Sequence, residues 1–435
     1  MKAVSNFFSF THYRESCHKT LSSVNSTDPK EFISKAILAA EEAVKKFFNY
    51  SDSLIVQVKN NNLTKMALND SSYSDVGDSE LRNINDHKND LRTWLNAVIS
   101  YQQSCLDGFE YDNNMKETMQ KGIIDAHELT GNALTIVTKL SDILSKFGIQ
   151  LNNTNSCRLH SVEKNVYPSW FSAKDRHLLA RIDNSNLKPN VVVAKDGNGQ
   201  YKTIGAALAA APKNSNIRHV IYIKAGIYDE YTTVDKQYTN IMMYGDGPRK
   251  TIVTGCKGVK NGGGITTWQT ATFSAIGNGF IAKSMGFQNT AGPEKHQAVA
   301  LRIQSDKSAF FNCRIDAYQD TLYNQANRQF FCNCVISGTI DFIFGDSPTV
   351  IQNSLIIIVP EQKLFNDRFK IATYLGRPWK KFSTTIIMES TLGNFIKPEG
   401  WMLFEGLDKV NYEETIYYAE YKNRGPGANL NARVN

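Results

Sequence analysis

The sequence predicts a helical N-terminal region followed by a parallel β-solenoid. Apolar residues keep a helical spacing up to about residue 144, whereas from Val191 onward they gather in short runs of strand-forming residues. Within this second part, related segments return at intervals of about 21 residues. A period of that length, with strand-forming residues in every copy, is typical of a solenoid whose successive coils pair in parallel.

The length and the charge of the chain agree with this division. The 435 residues suffice for two domains, and charged residues at 21% with hydrophobic residues at 41% indicate an ordinary folded protein. Residues 1–155 carry a net charge of −3 and the remainder carries +10. The basic part favours a polyanionic partner, an acidic polysaccharide or a nucleic acid; a basic surface without a specific partner is the alternative. We predict a helical domain over 1–155, a linker over 156–189 and a solenoid over 190–435.

The helical region has a clear start. Thr27-Asp28-Pro29 places a capping side chain before a proline in the first turn of a helix. Three apolar series then recur at helical spacing, separated by short polar stretches, as in an antiparallel bundle. Their members are Ile33, Ile37, Ala40, Val44 and Phe47; Leu91, Leu95, Val98 and Ile99; and Leu134, Val137, Leu140, Ile143 and Leu144.

The segment between the two parts is polar and leads into Asp175-Arg-His-Leu-Leu179. Basic residues followed by two leucines in a linker offer a protease a place to separate the domains. An ordinary surface connection is the alternative interpretation.

The chain gives mixed signals about its compartment. No apolar run approaches the ~20 residues of a membrane span, and the first ten residues do not form a convincing signal peptide. Five Asn-x-Ser/Thr sequons nevertheless lie in the first 155 residues, which favours a secreted glycoprotein. They begin at Asn25, Asn49, Asn62, Asn69 and Asn152.

Polar side chains recur at the solenoid period. Gln297 is followed 22 positions later by Gln319, and Asp320 is followed 21 positions later by Asp341. Because successive coils lie about 4.8 Å apart, this spacing predicts two carboxylates and two carboxamides on one face. A second ladder consists of Asn289, Asn312, Asn333 and Asn353.

Two carboxylates one coil apart cannot both remain comfortably ionised. One is expected to have a raised pKa and to act as an acid, while the other serves as nucleophile or base. Neighbouring carboxamides could donate hydrogen bonds to a developing oxyanion, and a cation such as Arg377 could hold the ionised aspartate in place. The set indicates acyl transfer or glycoside chemistry, and a stacked ladder of turn residues is the structural alternative. A nucleotide site is not expected, because the glycine-rich turns lack Gly-Lys-Ser/Thr and a GxGxxG that opens a helix.

Five motifs of one family stand in order in the second part of the chain. They are Gly226-Ile-Tyr-Asp-Glu230, Gln297-Ala-Val-Ala-Leu301, Gln319-Asp-Thr-Leu322, Asp341-Phe-Ile-Phe-Gly345 and Leu375-Gly-Arg-Pro-Trp379. With these motifs, residues 190–435 resemble plant pectin methylesterases (pectinesterases). Residues 14–150 resemble the inhibitor-type pro-region of such enzymes, and residues 175–179 resemble its processing site. The resemblance implies a right-handed parallel β-helix preceded by an all-α four-helix bundle.

The resemblance also implies catalytic roles for residues that match these motifs. Asp341 would be the nucleophile that attacks the C6 methyl-ester carbonyl of galacturonate, and Asp320 would protonate the departing methanol and then activate water. Gln297 and Gln319 would stabilise the tetrahedral oxyanion, and Arg377 would orient Asp341.

Substrate contacts are implied in the same way. The matching positions are Thr267, Gln297, Arg377 and Trp379, and less directly Trp401 and Trp268. Trp379 and Trp401 are 22 positions apart, about one coil, which predicts two stacked aromatic platforms.

For the whole protein, the resemblance implies a carboxylic ester hydrolase, a pectinesterase of class EC 3.1.1.11, that needs neither a metal nor another cofactor. Its partners would be methyl-esterified pectin (homogalacturonan) and its own inhibitor-like pro-region. A monomer without a nucleic-acid or membrane partner is expected. Its location would be extracellular, in the cell wall, where it would release methanol and acidic pectin.

One departure from the family pattern lies between Asp341 and Arg377, which are only 36 positions apart. The family has about one and a half further coils of ~20 residues here. A missing stretch is therefore expected between Ile356 and Val359, which makes a catalytically impaired, pectin-binding or regulatory relative the alternative function. A β-helix polysaccharide lyase is a third class, although such enzymes generally use Ca²⁺ held by acidic clusters, which the paired Gln-Asp arrangement does not suggest.

Overall fold

A computed structural model describes residues 7, 9–57, 84–109, 113–147, 167–180, 187–260, 265–359, 372–402 and 413–434. The chain divides into two compact units, Met1–Ile358 and Val359–Asn435. Among the described helices, none is both long enough and apolar enough to cross a membrane. The sequons at Asn62, Asn69 and Asn152 lie outside the described residues.

The N-terminal region is helical, as predicted. Its helices are α1 (Arg14–Leu21), α2 (Pro29–Gln57), α3 (Ile84–Asp107), α4 (Asn113–Thr138) and α5 (Leu140–Lys146). The predicted start at Pro29 is confirmed, because Asp28 Oδ1 accepts a hydrogen bond from the backbone N–H of Lys30 at 2.9 Å. Helices α2, α3 and α4 each turn one apolar face inward and pack together through two clusters of buried residues.

The described residues of the first unit also form three parallel sheets. The first sheet contains β1 (Val191–Val193), β2 (His219–Ile223), β5 (Ile241–Gly245), β8 (Ile281–Lys283), β11 (Ser308–Phe311), β14 (Gln329–Cys332) and β17 (Thr349–Gln352). The second contains β3 (Gly226–Asp229), β6 (Thr251–Gly255), β9 (Gly286–Asn289), β12 (Arg314–Asp316), β15 (Val335–Gly338) and β18 (Leu355–Ile358). The third contains β4 (Thr232–Val234), β7 (Phe273–Ala275), β10 (Leu301–Ile303), β13 (Leu322–Asn324) and β16 (Ile343–Phe344).

Two short helices accompany the sheets, α6 (Ala173–Ala180) before β1 and α7 (Ile204–Ala209) between β1 and β2. Every coil contributes at most one strand to each sheet, so strands that are neighbours in a sheet come from successive coils. The predicted fold class, a right-handed parallel β-helix after a helical region, is confirmed.

The interior of the β-helix is a column of stacked apolar side chains. Along each strand, side chains point alternately to the inside and the outside of the β-helix. Leu301 and Ile303 on β10 point inward and are fully buried in the core. Equivalent residues in successive coils lie on one another: the rings of Phe310 and Phe331 stack with centroids 4.8 Å apart. The 21-residue period of the sequence is the distance along the chain between such partners.

Three of the four ladder asparagines occupy one repeated turn. Asn312, Asn333 and Asn353 directly follow β11, β14 and β17 and have φ of 50°, 56° and 49°. Asparagine tolerates this left-handed region better than most residues, which explains its recurrence there. These asparagines shape the turn between the first and second sheets.

The prediction that Asn289 belongs to the same ladder is wrong. Asn289 ends β9, and its buried side chain donates to the backbone oxygens of Lys257 at 2.9 Å and Val299 at 3.0 Å. The register pairs Lys283 with Phe311, so Ser284, with φ of 54°, takes the ladder position one coil before Asn312. Residue type alone could not distinguish the two positions, because both need a small polar side chain.

The second unit contains the parallel pair β19 (Thr384–Met388) and β20 (Tyr417–Tyr421). Single parallel bridges link other segments of this unit, including Thr373 with Ile396. A buried ion pair between Arg433 and Glu420, with Nε 2.6 Å from Oε1, holds the C-terminal segment on β20.

Candidate active site

The two aspartates occupy the same position in successive coils of the third sheet. Leu322 on β13 pairs with Leu301 on one side and with Ile343 on the other. Asp320 lies two residues before Leu322, and Asp341 lies two residues before Ile343. The backbones of the two aspartates therefore lie one coil apart. The backbone N–H of Asp320 also donates to the carbonyl of Ile340 at 3.1 Å, which ties the two turns together.

Both aspartates adopt a left-handed backbone conformation, with φ of 64° at Asp320 and 47° at Asp341. Non-glycine residues take this conformation at a cost, and they keep it only where the surrounding structure enforces it. The turn directs the chain into the third sheet and leaves Asp320 only 8% exposed, while Asp341 is half-buried. Because Asp320 and Asp341 share this backbone conformation, the two side chains start from equivalent positions in successive coils.

The two carboxamides enter the same edge of the sheet in register. The N–H of Ala298 donates to the carbonyl of Gln319 at 3.2 Å, just as the N–H of Asp320 donates to the carbonyl of the residue before Asp341. In a parallel ladder this bond places Ala298 opposite Asp320, and therefore Gln297 opposite Gln319. The turn before β10 is longer by one residue, which accounts for the 22-residue spacing. The carbonyl of Gln297 accepts from the N–H of Val259 at 3.0 Å. Both glutamine side chains are half-buried.

A buried cation that the sequence reasoning missed lies beside this edge. Arg302, on the outer face of β10, is 4% exposed and donates from Nε to Gln325 Oε1 at 2.7 Å. Its guanidinium lies 4.5 Å from the ring centre of Trp268, in the short 3₁₀ turn that also contains Thr267. The signal available in the sequence was an arginine placed directly after the Gln297 motif, between two inward-facing strand residues.

The outer face of the third sheet continues as an aromatic column. Arg302 pairs in register with Tyr323, and Tyr323 pairs with Phe344. The rings of Tyr323 and Phe344 stack with centroids 4.4 Å apart and planes 10° from parallel. A flat aromatic and cationic surface therefore adjoins the carboxylates.

Helix α3 lies on this outer face. Ser100 Oγ donates to the carbonyl of Gln325 at 3.0 Å, and Ser104 Oγ lies 3.3 Å from the hydroxyl of Tyr323. The hydroxyl of Tyr101 accepts from Asn327 Nδ2 at 3.2 Å, and burial raises the pKa of Tyr101, which keeps this hydroxyl protonated. The helical region thus covers strands next to the aspartates.

An ion-pair cluster joins the same two parts of the first unit. Asp90 Oδ1 lies 2.6 Å from Arg328 Nη1 and 3.6 Å from Lys307 Nζ. Arg328 also donates from Nε to Asp306 Oδ1 at 2.9 Å. Asp90 belongs to α3 and the other three residues belong to the β-helix. Ion pairs as well as contacts between neutral polar groups therefore join α3 to the β-helix.

The remaining predicted residues belong to the second unit. Arg377 is half-buried, Trp379 is 57% exposed and Trp401 is 8% exposed. The predicted stack of Trp379 on Trp401 is wrong in register, because Trp401 pairs with Gly376. The indole of Trp401 lies over Gly376, where a Cβ would be in ordinary contact with the ring at 3.4 Å, and it also packs on Tyr418. The roles of Arg377, Trp379 and Trp401 in catalysis stay predictions.

The edge of the third sheet thus brings two carboxylates together beside two carboxamides. Carboxylates in two turns of equal geometry, beside carboxamides, suit covalent hydrolysis of an acyl group. Across the described residues, no three His, Cys, Asp or Glu side chains come together as a metal site. Fold and site together are those of a parallel β-helix protein whose paired carboxylates suit a hydrolase.

Matches to known protein families assign the chain more closely. The pectinesterase family model matches residues 190–363 and 356–435, and the plant invertase/pectin methylesterase inhibitor model matches residues 3–136. The chain therefore belongs to the pectinesterase family and carries an inhibitor-type region before the enzyme-type domain. The two pectinesterase matches overlap over residues 356–363, which begin within β18 and include the point where the sequence predicts a missing stretch.

Individual relatives agree. The chain is 39% identical over 483 residues to probable pectinesterase/pectinesterase inhibitor 21 of Arabidopsis thaliana, an alignment that covers all of this chain and 71% of the relative. It is 37% identical over 519 residues to pectinesterase 4 of Arabidopsis thaliana, of which it covers 87%. A solved pectin methylesterase from carrot is 45% identical with a TM-score of 0.53, over 58% of this chain and 88% of the carrot chain.

Proposed function

We propose that the protein hydrolyses galacturonate methyl esters in pectin and releases methanol and acidic pectin. The observation that carries the proposal is the register of Asp320 and Asp341, one coil apart beside Gln297 and Gln319, in a chain of the pectinesterase family. The reaction makes the protein an aspartyl esterase that modifies the cell wall.

In the first half-reaction, a carboxylate oxygen of Asp341 attacks the C6 carbonyl carbon of the ester. Gln297 and Gln319 donate hydrogen bonds to the oxyanion as it forms. The tetrahedral intermediate collapses, the bond between C6 and the methoxy oxygen breaks, and Asp320 gives its proton to the leaving methanol.

In the second half-reaction, the carboxylate of Asp320 takes a proton from water while the water oxygen attacks C6. The bond to Asp341 then breaks, which frees the galacturonate carboxylate and returns both aspartates to their starting states. In this scheme Arg377 orients Asp341, and Thr267, Gln297, Arg377, Trp379 and Trp401 contact the pectin chain.

The inhibitor-type region is proposed as an internal partner of the enzyme-type domain. Its support is the set of contacts from α3 to the outer face of the third sheet, beside the proposed catalytic aspartates. We also infer secretion to the cell wall as a monomeric glycoprotein; the five sequons and the pectin-directed family support this location.

The direct test is methanol release from methyl-esterified pectin by the purified full chain. We expect Asp341→Asn to abolish release, whereas Asp229→Asn, which changes an exposed carboxylate on β3, leaves it intact. Each methanol should be matched by one new carboxylate in a titration. Absence of methanol release by the unmodified chain would contradict the proposal. If that chain still binds pectin, it is a catalytically impaired relative. Unsaturated uronate products that disappear with a chelator would indicate the lyase class instead.

A further inference from the structure

The outer face of the second sheet carries a hollow of about 300 Å³, away from the edge that holds the two aspartates. At its floor lies Gly286 on β9, which pairs with Ile252 on β6 and with Arg314 on β12. These three positions form one outward-facing column across three coils. Because neighbouring strands lie about 4.8 Å apart, the backbones at Ile252 and Arg314 are about 10 Å apart, with only a glycine between them. The missing side chain leaves the space that we call the Gly286 hollow.

The turn at residues 246–250 forms one wall of the hollow and explains why its floor is a glycine. A Cβ at Gly286 would lie 2.5 Å from the carbonyl oxygen of Pro248, closer than real contacts allow. The turn is tied to the next coil, because the N–H of Gly247 donates to the carbonyl of Ser284 at 3.1 Å. The hollow is therefore shaped by fixed backbone and does not depend on the position of a flexible side chain.

Two guanidinium groups border the hollow. Arg314 donates from Nε to Asp316 Oδ2 at 2.6 Å, and Ser337 Oγ donates to the other oxygen of this carboxylate. Within the described part of the chain, Nη1 and Nη2 of Arg314 make no further hydrogen bond or ion pair. Arg249 is exposed in the turn, and its side chain likewise has no hydrogen bond or ion pair to the described residues. Both arginines therefore keep N–H donors for a ligand.

The charge of the lining favours a ligand with one negative charge. Arg249 and Arg314 each contribute one positive charge and Asp316 one negative charge, which leaves the hollow at +1. A single carboxylate balances this charge. Guanidinium groups bind carboxylates through parallel N–H donors in one plane, so a carboxylate fits these two side chains in shape as well as in charge.

The rest of the lining suits the body of a sugar acid. Gln288, in register with Asp316, presents a carboxamide that can both donate to and accept from hydroxyl groups. Ile252 and the glycine floor offer a nonpolar surface to the C–H groups of a pyranose ring. A few polar groups around a concave nonpolar floor are typical of small-molecule sites.

We propose that the Gly286 hollow binds a de-esterified galacturonate unit of pectin through its carboxylate. The ligand class rests on the proposed function, because de-esterified pectin is the product of that reaction. Asp316 precedes Asp320 by four residues in the same coil, which keeps their Cα atoms within about 14 Å of each other. The hollow and the aspartates lie on either side of one turn. A single pectin chain, de-esterified at one unit and esterified at another, can therefore occupy both.

Titration of the purified full chain with unesterified trigalacturonate tests this proposal. Arg249→Ala removes a guanidinium from the hollow, whereas Lys250→Ala removes the same charge from the next, exposed position, which does not line it. We expect Arg249→Ala to raise the Kd at least about tenfold, as for loss of a hydrogen bond to a charged group. Lys250→Ala should change the Kd less than about twofold. The fully methyl-esterified trimer should bind all three chains equally.

Arg314→Lys provides a second variant, because it keeps the positive charge and loses the planar donors. It should also raise the Kd for trigalacturonate. Hydrogen exchange then locates the sugar: amides of residues 248–252 and 286–288 should exchange more slowly with trigalacturonate in the unmodified chain, and not in Arg249→Ala.

Three results would overturn the proposal. One is an equal change of Kd in Arg249→Ala and Lys250→Ala, and another is slower exchange confined to the third sheet. The third is competition by inorganic phosphate as effective as that by galacturonate, because the hollow would then recognise charge and not a sugar acid. The esterase test measures methanol, whereas these experiments measure binding of a ligand without esters. Either proposal can therefore fail while the other holds.

Discussion

Asp320 and Asp341 stand in backbone positions that the β-helix elsewhere gives to asparagine. Both have positive φ, as do Asn312 and Asn333 in the repeated turn after the first sheet. The left-handed conformation costs most side chains roughly 1–2 kcal/mol, and short polar residues tolerate it best. Local geometry therefore explains a small polar residue in these turns, and the choice of the acid over the amide at 320 and 341 is what the proposed chemistry adds.

The left-handed backbone at Asp320 predicts opposite effects of Asp320→Gly on stability and on activity. Glycine relieves the left-handed strain and removes a carboxylate that is only 8% exposed. We expect the free energy of unfolding to rise by about 0.5–1 kcal/mol, measured by urea denaturation. Methanol release should fall by roughly 10²–10⁴-fold, because the general acid is lost.

Asn333→Gly is the matched control, since Asn333 has φ of 56° and is exposed in a turn away from the aspartates. It should be neutral or stabilising and keep full activity. A loss of stability in Asp320→Gly, with none in Asn333→Gly, would show that the aspartate turn is not strained and is held by its side chain.

Arg302 is expected to matter through its shape as well as its charge. Arg302→Lys keeps the cation but loses the Nε donor to Gln325 and the flat contact with Trp268. Gln325 Oε1 is then left in a buried place without this donor. We expect a loss of about 1–3 kcal/mol in the free energy of unfolding.

The comparison variant is Arg314→Lys, because Arg314 forms its ion pair with Asp316 at 2.6 Å while 23% exposed. Its substitution should cost less than about 1 kcal/mol. Equal losses at the two positions would mean that burial and stacking at Arg302 contribute nothing beyond a surface ion pair.

At the scale of elements, the contact of α3 with the third sheet is expected to restrict the site. Asp90→Asn removes the ion pairs with Arg328 and Lys307, whereas Arg328 keeps its bond to Asp306 and so stays in place. The β-helix should therefore remain folded while α3 binds it less tightly. We expect the initial rate of methanol release to rise about two- to fivefold, the factor that corresponds to 0.5–1 kcal/mol.

Asp107→Asn, at the exposed end of the same helix, removes the same charge without touching the β-helix cluster. It should leave the rate unchanged. An Asp90→Asn rate equal to that of the unmodified chain would argue against α3 as a restraint on the site.

The period of the sequence predicted the elements that repeat, and it failed where a turn changes length. The coil-to-coil register of Asp320 with Asp341 follows directly from their 21-residue spacing. The 22-residue interval from Gln297 to Gln319 includes one extra residue before β10, and this residue keeps the two glutamines opposite each other. The equal interval from Trp379 to Trp401 does not bring the two tryptophans opposite each other, because Trp401 pairs with Gly376. Counting residues locates a coil but not the position within its turn.

Contacts between distant elements were beyond reach for a different reason. Nothing in the spacing of α3 indicates that Ser100 and Ser104 meet the outer face of the third sheet, because no local periodicity encodes packing between domains. Arg302 was missed because a single arginine within a strand usually faces solvent. Its burial depends on α3 and Trp268, and both are remote in sequence or outside the strand pattern.

At the scale of the whole molecule, charge is divided along the chain, with −3 over residues 1–155 and +10 over the remainder. The product of the proposed reaction is a polyanion, whereas the fully esterified substrate carries no charge on its uronates. Attraction to a basic domain therefore grows as esters are removed. The protein should hold partly de-esterified pectin more tightly than its starting substrate.

Salt should separate these two binding modes. Surface charges are screened over about 10 Å at 0.1 M salt and about 3 Å at 1 M. With the full-chain Asp341→Asn variant, so that no ester is cleaved, the Kd for polygalacturonate should increase by roughly tenfold or more across that range. The Kd for fully methyl-esterified pectin, measured by the same titration, should change less than about twofold, because its uronates carry no charge to screen. Parallel salt dependence for both polymers would mean that the +10 charge does not recognise the uronate carboxylates, and that the basic surface serves solubility alone.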